Sequence, residues 1–485
     1  MNYSEFSFWW ILILYGVPFF TVRYIAKSLH LWQNRFDSIG LLCLSLLLFY
    51  SASRPSFAVF IIDVVFNYLM LTWMLKAEGW KPKAILTTII IWNIGILAYF
   101  KYLVFFVESV VGLLITLPPD WQKNFLIPVA RRIPPGVSFF TFEMVAFAVD
   151  TYMMKRKKPL KALDYVNFIS FFPKVVAGPI ERRRDLLPQL DAFSFKFTPE
   201  NFDEGIRWLS LGLFMKFVLA DNLTDYVDLT RVDNPWFIWF DAFIFTLRIY
   251  FDFGGYSFIA LGLARFMGVR LTLNFQAPYT SQSINEFWRR WHITLSTWFR
   301  DYVFIPLMGS NKNWAPFYLF ITFTLSGFWH GASWNFVAWG AYHGALLLLL
   351  RYLGRPFYGF LGKYMVRPQF ISWGLTFLSV VFGCLFFMET NNERLVTKLG
   401  TLATPWSYTL DNLGAVFSSY SQNQLAALIL IMVLSCGVLF LEHLAVWKEK
   451  FEYEFLLNPW LTKIMLGLTI LLAANTSSSF IYFDF

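Results

Sequence analysis

The chain has 485 residues, 57% of them hydrophobic and only 15% charged, against about a quarter charged in a soluble globular domain. No water-soluble fold has an interior large enough to hide that much apolar surface, so the composition excludes a soluble enzyme and points to a protein with the bilayer as its solvent. The formal net charge is +9, but the basic residues stand in short clusters between apolar runs (Arg131-Arg132, Lys155 to Lys158, Arg182 to Arg184), as they do in cytoplasmic loops, so no nucleic-acid partner is expected.

In chain order, the apolar stretches that predict helices are Phe8 to Tyr24, Ile39 to Tyr50, Phe57 to Leu75, Ala84 to Phe106, Gly136 to Met154, Ile206 to Leu219, Trp236 to Tyr250 and Tyr256 to Met267. The later ones are Trp314 to Phe328, Ser333 to Leu353, Ile371 to Phe387, Gln424 to Leu444 and Leu461 to Phe480. The first run has no basic leader or small-residue cleavage site and reads as a retained helix. Ile39 to Tyr50 is short, and Tyr165 to Ile180 is broken by Pro173, Gly178 and Pro179. Both read as re-entrant or half-membrane pieces, which persist at depth only inside protein or beside a cavity. The expectation is an all-α, polytopic membrane protein of roughly ten to twelve transmembrane helices around a central tunnel. With no repeat and no low-complexity linker, it is expected to form a single membrane domain over residues 1–485.

Chemistry concentrates in one quarter of the chain. Glu286 to Phe304 contains no Gly or Pro and reads as one helix, on which Arg289, His292, Ser296 and Arg300 fall within an arc of roughly 80°. Such a helix can simply lie in the interface, with arginines at headgroups and aromatics in the acyl boundary. A histidine in the stripe argues instead for a site, and paired guanidinium groups suit phosphate or carboxylate. The second piece, Leu325 to Gly344, sets His330 in an apolar segment beside Trp329, Gly327 and Gly331, with Asn335 just beyond. An ionisable residue there is costly and by default marks a function. Imidazole suits general base work near neutral pH, the alternative being a ring that only hydrogen-bonds a neighbouring helix. His343 lies about 140° around from His330 on one continuous helix, so the two share a pocket only if the helix breaks. In Tyr250 to Tyr256, Asp252 is expected to pair with Arg248 four residues earlier. Cys43, Cys384 and Cys436 are scattered, no metal-ligand spacing occurs, and neither a P-loop nor a Gly-x-Ser-x-Gly elbow is present, so no metal is expected.

FWRRWHITLSTWFRDYVFIPL from Phe287 and GFWHGASWNFVAWGAYHG from Gly327 resemble the membrane-bound O-acyltransferase family, in particular its bacterial alginate O-acetyltransferase-like branch. PPGVSFFTFEMVAFAVDTY from Pro134, FPKVVAGPIERRRDLLPQL from Phe172, IYFDFGGYSFIALGLARFMG from Ile249, NFQAPYTSQSINEFWRRWH from Asn274 and the closing FIYFDF support it, with a family-like core at about 90–350. The resemblance implies a multi-pass enzyme of the bacterial cytoplasmic (inner) membrane that moves acetyl from acetyl-CoA, with no permanently bound cofactor, for O-acetylation of an extracellular polysaccharide such as alginate. It further implies a periplasmic or extracellular partner acyltransferase. His330 maps onto the family's catalytic base and His292 onto its second functional histidine. Arg289, Ser296, Arg300, Asn335 and Trp329 are the candidates for substrate binding. Two alternatives stay open: another cargo or polymer (D-alanylation of teichoic acid, acetylation of peptidoglycan or cellulose), and a transporter or flippase that makes no bonds.

Overall fold

The computed structural model describes residues 3, 5–31, 33–116, 121, 133–154, 159–364, 368–449, 453, 456–473 and 480. Arg131-Arg132, the basic cluster at 155–158 and all of FIYFDF after Phe480 lie outside the described residues. Every regular element among the described residues is helical. Seven helices there are long and apolar enough to cross a membrane: Ser7–Ser28, Arg35–Ala52, Arg54–Lys76, Lys81–Leu113, Trp334–Gly354, Gln369–Met388 and Gln422–Trp447. The sequence-based count was larger because it admitted shorter apolar helices and one carrying several charges. Contacts divide the chain into two compact units, Met1–Ile206 with Ala260–Thr272, and Arg207–Ile259 with Leu273–Phe485.

In the first unit, α1 (Phe6–Ser28), α2 (Asn34–Ala52), α3 (Arg54–Lys76) and α4 (Lys81–Leu97) follow one another, and α4 continues through a π-helical turn at Ala98–Tyr102. Lipid supplies no hydrophobic drive between helices, so polar side chains help to join them. The Asp63 Oδ1 on α3 accepts from Asn67 at 2.8 Å and from the Trp92 indole at 3.0 Å, while Asn93 on α4 donates to Asn67 Oδ1 at 2.8 Å. Next come α5 (Val137–Met153), α6 (Ala162–Ser170) and α7 (Arg183–Leu190). The irregular stretch after α6 is buried, as its Pro and Gly residues led us to expect, whereas Ile39 to Tyr50, read as a half-membrane piece, belongs to a helix, Arg35–Ala52, long enough to cross. Its Lys174 ion-pairs with Glu143 of α5. Gly178 packs so tightly that a Cβ there would come 2.4 Å from the Lys174 Cα.

The second unit takes residues 207–213 of α8 (Pro199–Leu213) and 235–259 of α9 (Pro235–Phe266). The sequence reading split α9 between Tyr250 and Tyr256, around Gly254-Gly255, but the helix runs unbroken. Those glycines serve close approach: a Cβ on Gly255 would meet the Gly212 carbonyl oxygen at 2.9 Å. The expected Asp252–Arg248 pair is also corrected. Asp252 Oδ1 instead sits 2.6 Å from Lys216 Nζ, which lies 2.7 Å from Asp221 Oδ1. Lys216 is itself buried in the π-helical Phe214–Ala220, where two carboxylates compensate its charge.

Beyond α9 the unit comprises α10 (Ile284–Arg290), α11 (Ile293–Phe299), α12 (Ala315–His330), α13 (Trp334–Tyr364), α14 (Pro368–Met388), α15 (Asn392–Leu402), α16 (Leu410–Ser418), α17 (Gln422–Glu449) and α18 (Pro459–Leu472). α12 and α13 touch through glycines. A Cβ on Gly327 would come 2.2 Å from the Phe336 carbonyl oxygen, and one on Gly340 2.3 Å from that of Phe323. Small residues at such a crossing let two backbones meet.

Candidate active site

Two chain breaks build the site. The first overturns the single helix expected over Glu286 to Phe304. α10 starts at Ser283, whose hydroxyl accepts from Glu286 N–H at 3.2 Å, while the Glu286 carboxylate takes Gln282 N–H at 2.7 Å, a reciprocal cap. The helix stops at Arg290; Trp291 is extended, and His292 adopts a left-handed backbone with φ +43°. The cause is tertiary. Asn274 Oδ1 lies 3.1 Å from His292 Nδ1 and accepts from Thr294 Oγ1 at 2.9 Å and from Thr294 N–H at 3.3 Å. Asn274 also accepts Ile293 N–H at its backbone oxygen, 2.9 Å away. The His292 ring is thereby turned inward, edge-on to Phe253 with centroids 4.7 Å apart.

This break ends the continuous polar stripe. Arg289 and Arg300 are exposed, Arg300 pairing with Asp301 at 2.7 Å, and Ser296 donates to the Trp291 carbonyl at 3.4 Å. None of the three lines the cavity described below. Arg290 is the buried arginine of the pair. It joins Glu286 and donates to Thr280 at 2.5 Å.

The second break follows His330, the last residue of α12. Gly331 is extended, and α13 begins at Trp334. On α13, Asn335, Trp339 and His343 recur every four residues and share a face. His330 packs edge-on to Trp339 at 5.1 Å and to Phe387 of α14 at 5.2 Å, and His343 packs against the same indole at 4.9 Å. The break is the one that the spacing of the two histidines required. Both line an apolar cavity of ≈ 20 Å³ with Tyr279, Trp291, Trp339 and Cys384, space for about one water-sized molecule. Trp329 sits 5.0 Å from His330 and 6.5 Å from His292, so its ring bridges the two histidines. Asn335, 1% exposed, spends its amide N–H on the Phe386 carbonyl at 2.9 Å.

Of the residues singled out from the sequence, the structure gathers His330, Trp329 and His292 in one aromatic cluster, with Asn335 at the start of the adjoining helix. Sequence reasoning passed over Tyr279 and Phe387 and took Cys384 only as one of three scattered cysteines; all three reach the cavity from distant positions. It also passed over Glu442, wholly buried on α17, where it accepts from the Tyr250 hydroxyl. A carboxylate in so apolar a run was the signal available.

The model of the MBOAT, membrane-bound O-acyltransferase, family matches residues 1–390. The chain belongs to the membrane-bound O-acyltransferase family. It is a multi-pass membrane protein, as the seven apolar helices among its described residues and its family indicate. It is similar to the probable alginate O-acetylase AlgI of Pseudomonas putida, 36% identical over 328 residues covering 66% of this chain and 65% of the relative. The corresponding protein of Pseudomonas syringae pv. tomato is 37% identical over 369 residues, 72% of this chain and 67% of the relative. The peptidoglycan O-acetyltransferase of Helicobacter pylori is 31% identical over 394 residues, 74% and 72% of the two chains. The matched stretch thus spans about two thirds of the length of the two Pseudomonas relatives.

Proposed function

We propose that this chain, an O-acyltransferase by family, transfers acetyl from acetyl-CoA for O-acetylation of an extracellular polysaccharide, and that it works in the bacterial cytoplasmic membrane. Relatives named as alginate O-acetylases and as a peptidoglycan O-acetyltransferase support acetyl as the cargo and a glycan as its destination. The observation that carries the mechanism is the position of His330, at a helix end in the wall of a cavity inside the helices.

His330 is the general base. It takes the proton of an acceptor hydroxyl as that oxygen attacks the thioester carbonyl; the C–O bond forms, the C–S bond breaks, and the thiolate leaves with the proton from the imidazolium. His292 shapes the aromatic wall through Trp329. Asn335 and Trp329 hold the helix break that aims the base. Arg289 and Arg300, exposed on α10 and beyond α11, hold the phosphates of CoA before the thioester enters. In the described conformation the cavity admits about one water-sized molecule, so entry of the thioester requires the aromatic wall to move. The acetyl group then passes to a periplasmic or extracellular partner acyltransferase that acts on the polymer.

Exchanging His330 for Ala tests the reading by polymer acetylation in cells at matched membrane abundance. Loss of a positioned base costs about 10²- to 10⁴-fold in rate. Acetylation equal to wild type would remove His330 from the mechanism. The Helicobacter relative's name supports a second destination, peptidoglycan; analysing acetyl on both polymers in the same cells separates the two.

A further inference from the structure

The wall of the His330 cavity contains a second imidazole that the base mechanism does not use. His343 is 2% exposed, and its Nδ1, shut off from solvent, meets no hydrogen-bond partner among the described residues. A polar atom left so in a lipid-enclosed interior is destabilising unless something else meets it. The ring is also firmly held. Trp288 packs edge-on at 5.0 Å, Trp339 at 4.9 Å and Tyr342 at 5.1 Å. Close to it stands Gly383 of α14, where a Cβ would come 2.7 Å from Nε2. The absence of a side chain at 383 is what lets an imidazole stand here.

A second polar group of the wall, by contrast, is already engaged. The Tyr279 hydroxyl donates to the Thr246 carbonyl at 2.5 Å, and the Cys384 thiol, a weak hydrogen-bonding group, is buried. The remaining wall is carbon and indole. A space of ≈ 20 Å³ has room for about one water-sized group.

We propose that this cavity is a binding site for a single hydroxyl oxygen, held by His343 beside His330. Resting on the reading of His330 as the base, the occupant during transfer is the reacting hydroxyl of the acceptor, and a water stands in for it at rest. The His343 N–H donates to the hydroxyl oxygen while the hydroxyl's own proton passes to His330. The oxygen bonds the acyl carbon, the C–S bond breaks, and the thiolate takes the proton from His330. His343 keeps its proton throughout.

The test uses the full chain in lipid nanodiscs and in cells. A cryo-EM map of the wild type is expected to hold an ordered water within hydrogen-bonding reach of His343, absent in His343→Leu. At matched abundance and melting temperature, His343→Leu is expected to lower polymer acetylation about 10- to 100-fold, the loss that follows one unmade hydrogen bond to a buried group. His343→Asn, whose amide falls near the place of Nδ1, recovers acetylation relative to Leu and shows that the loss is not one of folding. Labelled acetyl-CoA separates the two hydroxyl sources. A rise in free acetate relative to acetylated polymer in His343→Leu identifies the acceptor hydroxyl as the occupant, and an equal fall of both overturns that assignment. A wild-type map with an empty cavity, or Leu and Asn variants alike in acetylation, overturns the site. If His330→Ala leaves acetylation intact while the water is present, the base assignment fails and the oxygen site stands.

Discussion

Gly340→Ala tests whether the α12–α13 contact sets the position of His330. The added methyl would come 2.3 Å from the Phe323 carbonyl oxygen and 2.9 Å from the Thr324 Cα, both backbone atoms of the facing helix. No rotamer change relieves such a clash, because the nearest atom is about 1 Å inside ordinary contact and belongs to a helix. Overpacking of this kind costs about 1–3 kcal/mol. An alanine also gains about 0.5–1 kcal/mol over glycine in a helix interior. Gly374→Ala on α14 supplies the control, since nothing stands within 4 Å of the built Cβ there. It carries the same helical gain without the clash, so the difference between the two variants isolates the clash. Fluorescence-detected gel filtration after a heating series, in one detergent, reads both. Gly340→Ala is expected to lose its monodisperse peak several degrees below Gly374→Ala, and to lose polymer acetylation as well, because the displaced helix ends in His330. Equal thermal stability of the two variants would refute the claim that backbone contact at Gly340 holds the helix pair.

Two further outcomes follow from the same geometry. Asn274→Leu removes the oxygen that receives both Thr294 donors and faces His292; acetylation is expected to fall at least tenfold, as after leaving a buried donor unmet, and wild-type acetylation at matched abundance would show that the turn at 292 stands without the amide. Lys398→Met strands Glu389, its fully buried partner at 2.7 Å, although Arg394 also reaches that carboxylate at 3.0 Å. Removing one member of a buried pair costs about 3–5 kcal/mol, so a clear loss of thermal stability is expected, and adding Glu389→Gln to Lys398→Met is expected to recover part of it.

The bilayer makes much of this architecture legible in sequence. An uninterrupted run such as Gln422–Glu449 has few folds open to it, and α17 extends the apolar stretch read from the sequence by a few residues at either end. His330 was legible because an imidazole between glycines in an apolar run is costly. The turn at His292 was not, for the residues from Glu286 to Phe304 contain no helix breaker and the cause lies eighteen residues upstream at Asn274. Glycines misled in the opposite direction. At Gly254-Gly255 they suggested an end to a helix, whereas the missing side chain at Gly255 serves contact with Gly212 and Lys216. Asp252 similarly found Lys216 rather than the arginine one turn away, since side-chain separation along a helix says nothing about which neighbour arrives from elsewhere.

The Asn274 amide also settles the tautomer of His292. Because the Thr294 backbone N–H reaches the same atom, that atom must be the amide oxygen, and a nitrogen 3.1 Å from it must bear hydrogen. The proton of the neutral ring therefore resides on Nδ1, and Nε2 offers a lone pair. The orientation of the ring is thus tied to residue 274, so a change there reaches the proton of residue 292 without replacing it.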